Sequence, residues 1–261
     1  MKIDRNHVKN TFAEYVSHYN AQDEKVKLKI DHTYRVAELC DTIAESVKLS
    51  EEDMDLAWLC GMLHDIGRFE QIKNYGTFID ADSVDHALYG VKILFDDGKI
   101  QDYLDQPSDE LCEFLRKVIS CHSAYRVPSE YDERTKMFAD ILRDADKIDI
   151  LKVNIEVPLE EIYNVTTEEL MNAEVTKEVM ESFSEEHATL RALKKTPVDH
   201  VVGHISLVYE LVYQISVKIV QEQGYLDKLM NFPSYNPRTR KQFEELRGMM
   251  QSYITRRCHC S

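Results

Sequence analysis

His64 and Asp65 stand side by side, an imidazole next to a carboxylate, at the end of a stretch that is apolar on nearly every side. His32 precedes them, and His86, His122 and Asp146 follow. Ionisable groups delivered by a buried segment need partners, because burying them alone costs several kcal/mol each. A metal ion is one such partner, and nitrogen and oxygen donors of this kind suit borderline first-row metals such as Fe, Mn, Co, Ni or Zn.

The elements that must position these residues read as helices. From His32, the apolar residues Val36, Leu39, Cys40, Ile43 and Val47 recur at helical spacing, and Ser50 before Glu51 and Glu52 marks an N-cap and a fresh start. The next helix, through Leu56, Leu59, Cys60 and Leu63, is apolar all round, the pattern of a buried helix. After a loop from Lys73 to Asp82, a helix is expected from near Ser83 through His86 to Phe95, closed by Asp97 and Gly98. Another is expected from Ser108 to His122, and a further one carries Phe138, Ile141, Leu142, Ala145 and Ile148 on one side with Asp144, Asp146 and Asp149. Beyond residue 155 the pattern predicts long charge-rich helices over Glu178 to Lys194 and Val198 to Gln223, then a loop from Pro233 to Pro237 and a closing helix over Arg238 to Arg257.

Composition agrees with an all-α fold, since eight glycines and six prolines are too few to punctuate many short strands. The 261 residues can bury a sizeable core, and no repeat or low-complexity linker interrupts them. A formal net charge of -15 without any long basic run argues against DNA or long RNA as a partner, although a cation-lined pocket can still take a small phosphorylated molecule. No apolar stretch reaches membrane-spanning or signal-peptide length, so a cytoplasmic location and no membrane partner are expected. Cys40, Cys60, Cys112 and Cys121 fall in apolar helical patterns and read as buried free thiols. Cys258, His259 and Cys260 read as an unstructured tail in preference to a soft-metal site.

The segments HTYRVAEL, CGMLHDIGRFEQ and ILRDADKIDIL resemble, in kind and order, the core pattern of the HD superfamily: a His, a His-Asp pair, then a later Asp. The resemblance implies an HD-domain helical bundle over residues 28–151; the chain before it reads as an N-terminal helical segment (1–27), and the charge-rich helices after it, which match no motif, read as a C-terminal extension (152–261) packed on it. It implies that His32, His64, Asp65 and Asp146 hold one divalent metal. Asp146 is preferred to Asp144 because HD proteins place this ligand just before a Lys or Arg. The histidines of DHALYGV and SCHSAYRVP resemble the extra ligands of the binuclear subgroup, which implies that His86 and His122 hold a second metal with Asp65 bridging.

Two such metals about 4 Å apart can share a water, lower its pKa and hold a phosphoryl oxygen, so the nucleophile would be hydroxide. Arg35, Arg68 and Lys147 stand beside the expected ligands and are candidates to meet substrate charge, with Lys73 and Arg126 in second rank. Arg68 departs from the Lys that follows His-Asp-Ile-Gly in many phosphodiesterase-type members, and Tyr125-Arg126-Val127-Pro128 lacks the Gly-Tyr-Pro signature of the cyclic-dinucleotide subgroup. The expected function is a metal-dependent phosphohydrolase acting on a small phosphorylated metabolite or nucleotide. The alternatives are an HD-type diiron oxygenase and a non-catalytic, ligand-sensing helical module.

Plainer readings stand beside these. Each histidine singly reads as an ordinary core or surface residue, and it is the six in family order that outweigh this. His200 and His204, four apart, have ligand-like spacing but no carboxylate motif, so helix packing is preferred. Tyr75, Phe78 and Tyr125 suit either stacking on a planar group or anchoring loops. Glu51-Glu52-Asp53 and Glu168-Glu169 read as helix N-termini.

Overall fold

A computed structural model describes residues 2–158 and 162–259, and within them all regular structure is helical, with no strand. The chain divides into two compact units, Met1–Asp146 and Lys147–Ser261.

In the first unit, α1 (Arg5–Ser17) starts at Asp4, whose carboxylate accepts the backbone N–H groups of Asn6 and His7. Helix α2 (Glu24–Ser46) packs along α3 (Glu51–Leu63), and a Cβ on Gly61 would lie 2.6 Å from Ala37 Cα, so only glycine permits this approach. Ser50 caps α3 by accepting from Asp53 N, and every residue from Leu56 to Leu63 is buried, as the all-round apolar pattern predicts. After His64 and Asp65 the chain turns into α4 (Ile66–Tyr75), ended by Gly76 at φ +69°.

The expected loop from Lys73 to Asp82 is therefore shorter, because Lys73 lies in the last turn of α4. Nor does the next helix begin near Ser83. A 3₁₀ turn occupies Asp80–Asp82, and α5 (His86–Val91) starts after Asp85, which caps it by accepting from Leu88 N and passes into a π-helical turn, Lys92–Asp96. Two short helices follow, α6 (Ile100–Tyr103) and α7 (Asp109–Ser120), then the long α8 (Glu133–Glu156). Phe12, Phe69, Leu59, Met62, Leu63, Leu115 and Phe138 fill the core of this unit. Cys40, Cys60 and Cys121 are buried thiols outside any disulfide, whereas Cys112 is only half-buried, a correction to the sequence reading.

The second unit corrects the expectation of two long helices. In place of Glu178 to Lys194, α10 (Lys177–Ser184), which follows the short α9 (Thr167–Asn172), stops at a turn with Glu186 at φ +58°, and a 3₁₀ turn covers Arg191–Leu193. In place of Val198 to Gln223, α11 (Pro197–Ile205) gives way to a 3₁₀ turn, Ser206–Glu210, and α12 (Gln214–Gln223) starts afresh. Tertiary partners make this second break. Ser206 Oγ accepts from Thr189 N and donates to Gly203 O, and the Arg257 guanidinium donates to Leu211 O and Val212 O at 2.9 and 3.0 Å.

Helix α13 (Tyr225–Met230) and a loop then lead to α14 (Pro237–His259). Cys258 and His259 belong to this helix and not to a tail, and Cys260 lies outside the described residues. Glu51 to Asp53 and Glu168 with Glu169 occupy helical first turns, as expected.

Candidate metal centre

Helix α2 delivers His32. His64 closes α3, and Asp65 stands between α3 and α4. His86 opens α5, His122 follows α7 by two residues, and Asp146 lies within α8. The set is thus held mainly at helix ends, where a residue can turn inward without a helix's own geometry directing it. Close backbone contact seats His86: a Cβ on Gly67 would lie 2.2 Å from His86 O and 2.6 Å from Gly90 N, so two glycines let α4 and α5 touch.

All six residues converge in the first unit. Asp65 Oδ2 lies 3.5 Å from His32 Nε2 and 3.6 Å from His64 Nε2, while Oδ1 lies 3.5 Å from His86 Nε2 and 3.7 Å from His122 Nε2. Asp146 Oδ1 is 3.2 Å from His32 Nε2 and 3.9 Å from His64 Nε2, so Asp146 faces these rings; Asp144, two residues earlier, is fully buried. The groups His32, His64, Asp146 and His64, Asp65, His122 each bring ligand atoms within 4.8 Å of one another, as one ion requires.

The orientation of the rings supports a cation. His64 Nδ1 donates to Gly61 O and His122 Nδ1 to Ile119 O, both at 2.7 Å, and His86 Nδ1 donates to Asp80 Oδ2 at 2.8 Å. With those protons placed, each Nε2 presents a lone pair, yet His86 and His122 point Nε2 at Nε2 across 3.0 Å, and His32 and His64 across 3.3 Å. Two nitrogens bound about 2 Å from one ion lie about 3 Å apart, so these separations fit a shared ligation sphere.

Electrostatics agree. Burial pushes His86 and His122 down to about 4 and lowers His64, keeping these rings neutral, the state in which imidazole ligates. Burial opposes ionisation of Asp65, but Lys29, then His64, Arg68 and His86, together outweigh it and hold the carboxyl well below its ordinary value. Asp146 is likewise lowered against burial, chiefly by its hydrogen bond with His32.

The candidate substrate cations are less uniform. Arg68 is largely buried, with Nη1 donating to Gln71 Oε1, Phe78 O and Asp80 Oδ1 at 2.8, 2.8 and 2.9 Å and Nε 3.6 Å from Asp65 Oδ1, so much of the side chain is committed to the protein. Arg35 lies one turn beyond His32 and is half-buried, and Lys147 follows Asp146 and is buried. Lys73 is on the surface, paired with Glu70 at 3.2 Å, and Arg126 is exposed against the Tyr125 ring; neither is brought to the cluster by these contacts. Phe78 lies against Lys29 and Arg68, whereas Tyr75 is exposed.

Three contributors escape the sequence reading. Lys29 Nζ is 2.7 Å from Asp65 Oδ2; its place three residues before His32, on the same helical face, was the available signal. Asp80 holds His86 and Arg68 from a loop with no periodic pattern. Arg143 donates to Cys121 O at 2.8 Å and His122 O at 3.3 Å, fixing the turn that carries His122.

His200 and His204 fall in the second unit, where Tyr163 stacks on His204 and lies tilted against His200, in line with packing. No helix among the described residues is long and apolar enough to cross a membrane. No curated protein and no solved structure matches the chain. The family model for the HD domain matches residues 30–151, a span that contains all six convergent residues. That match identifies the segment 30–151 as an HD domain, a domain that in general marks metal-dependent phosphohydrolases.

Proposed function

We propose that this chain hydrolyses a phosphate ester of a small phosphorylated metabolite or nucleotide with the help of two divalent metals. The observation that carries this reading is the division of Asp65, one oxygen toward His32 and His64, the other toward His86 and His122. His32, His64, Asp146 and Asp65 Oδ2 would hold one ion, and His86, His122 and Asp65 Oδ1 the other. A metal pair supplies Lewis acidity toward a phosphoryl oxygen and a water acidic enough to attack near neutral pH.

The protein's own part is positioning and charge. Asp80, Gly61 and Ile119 fix the ring nitrogens that face inward. Lys29 and Arg68 place positive charge at either oxygen of Asp65, beside the position where an anionic substrate gathers charge. Arg35, one turn from His32, is the further candidate to receive the phosphate.

Elemental analysis and a substrate panel test the reading together. Wild type should carry about two metals per chain, His86→Ala and His122→Ala about one, and the loaded wild type should release phosphate from some member of a panel of monoesters, diesters and nucleotides. Loaded protein inert across that panel, or consuming oxygen with iron and inactive with zinc, would overturn hydrolysis.

A further inference from the structure

A second cluster of ionisable side chains lies wholly in the C-terminal unit. Arg191 opens the 3₁₀ turn Arg191–Leu193, and Lys194 caps its end, so the two side chains fall three residues apart and eclipse each other. Lys194 then lies across α11 at Gly203: a Cβ there would meet both Cε and Nζ at 2.3 Å. His200 is three residues earlier on the same face of α11, with the Tyr163 ring 5.6 Å away.

The nearby carboxylates are engaged elsewhere. Asp199 accepts from the backbone N–H groups of Thr176, Lys195 and Thr196, and Glu178 pairs with Lys195 at 2.8 Å. Among the described residues, the side-chain nitrogens of Arg191, Lys194 and His200 make no hydrogen bond. In a chain with 47 acidic against 32 basic residues, three basic groups gathered together form an unusual local charge, which the buried Asp199 carboxylate offsets only in part at Lys194 and His200. The cost is visible in their ionisation. Burial and then Arg191 push the Lys194 amine down to about 8, and burial and then Lys194 lower His200. An oxyanion would supply the missing acceptors and reverse both effects.

We propose that Arg191, Lys194 and His200 form a binding site for the oxyanion group of a small molecule, a phosphate or a carboxylate. Lys194 is half-buried, so a small anion can reach its amine while bulk water is partly excluded. Gly203 is part of the site because it leaves room for the amine.

The test is the rate at which acetyl N-hydroxysuccinimide labels Lys194 in the full, metal-loaded chain, read by mass spectrometry with and without about 10 mM inorganic phosphate or malonate. Either anion should slow labelling of Lys194 by about fivefold or more, the protection expected when ligand exceeds its Kd about fourfold. Labelling of the exposed Lys218 should not change. Phosphate protection assigns a phosphate ligand, and malonate protection alone a carboxylate. Protection should vanish in Arg191→Ala, an exposed position, and in Gly203→Ala, whose new Cβ takes the place of the amine. It should persist in His86→Ala, which disturbs phosphate bound at the proposed metal centre. Failure of both anions to protect, protection undiminished in Arg191→Ala, or its loss in His86→Ala would overturn the proposal.

Discussion

Asp80 Oδ2 takes the His86 Nδ1 proton at 2.8 Å, and Asp80 Oδ1 takes Arg68 Nη1 at 2.9 Å. The carboxylate therefore fixes which nitrogen of His86 faces His122, and Arg68 in turn fixes the carboxylate. Partners of this kind set the tautomer of a ligating imidazole and raise its basicity.

Asp80→Asn is accordingly expected to weaken metal retention by about 10- to 100-fold. Competition with a chromophoric chelator measures it, and an affinity equal to wild type would show that His86 needs no such anchor.

The contact between α4 and α5 makes a second prediction. Alanine at Gly67 would drive Cβ into His86 O and Gly90 N, backbone atoms that cannot rotate away. Gly67→Ala should cost about 2 kcal/mol or more. Gly90→Ala, whose nearest contact would be 3.2 Å, should cost distinctly less. Denaturant titration of both variants compares them, and equal losses would contradict the geometry.

Arg143 supports the turn of His122 by donating to buried carbonyls at Cys121 and His122. Arg143→Met keeps much of the volume and removes the donors, leaving acceptors unsatisfied at about 1 to 3 kcal/mol. Hydrogen exchange across residues 121–125 should quicken well before the rest of the first unit. Uniform quickening would mean that the arginine acts on the whole unit and not on this turn.

Several elements of the first unit, α3 above all, were legible because their signals are local. Ser50 announces α3, and the unbroken burial of Leu56 to Leu63 follows from an all-round apolar pattern. The six inward residues were legible through their order along the chain, a pattern that no single histidine carries. Asp80 and Arg143 were not, since each acts on a residue reached only through folding, six and about twenty positions away in sequence. The break after Ile205 was hidden for the same reason: the carbonyls of Leu211 and Val212 are satisfied by Arg257, far along the chain, and residues 206–213 contain neither Gly nor Pro.

His204 gives a pH dependence whose sign can be worked out. Its Nδ1 is 2.8 Å from both Tyr163 Oη and Asn154 Oδ1, and burial, then the charges of Lys194, His200 and Arg191, push it down to about 3. The unfolded ring, titrating near 6.5, binds a proton that the folded ring refuses, so this contribution is complete above pH 6.5 and is lost as pH falls from there toward 3. At pH 5 the loss from this residue is about 2 kcal/mol. Urea unfolding at pH 7.5 and pH 5 should show wild type losing about that much more than His204→Gln, which cannot take up the proton. Equal losses in the two proteins would mean that the folded ring accepts a proton as readily as the unfolded one, and that burial and the neighbouring positive charges do not hold it neutral.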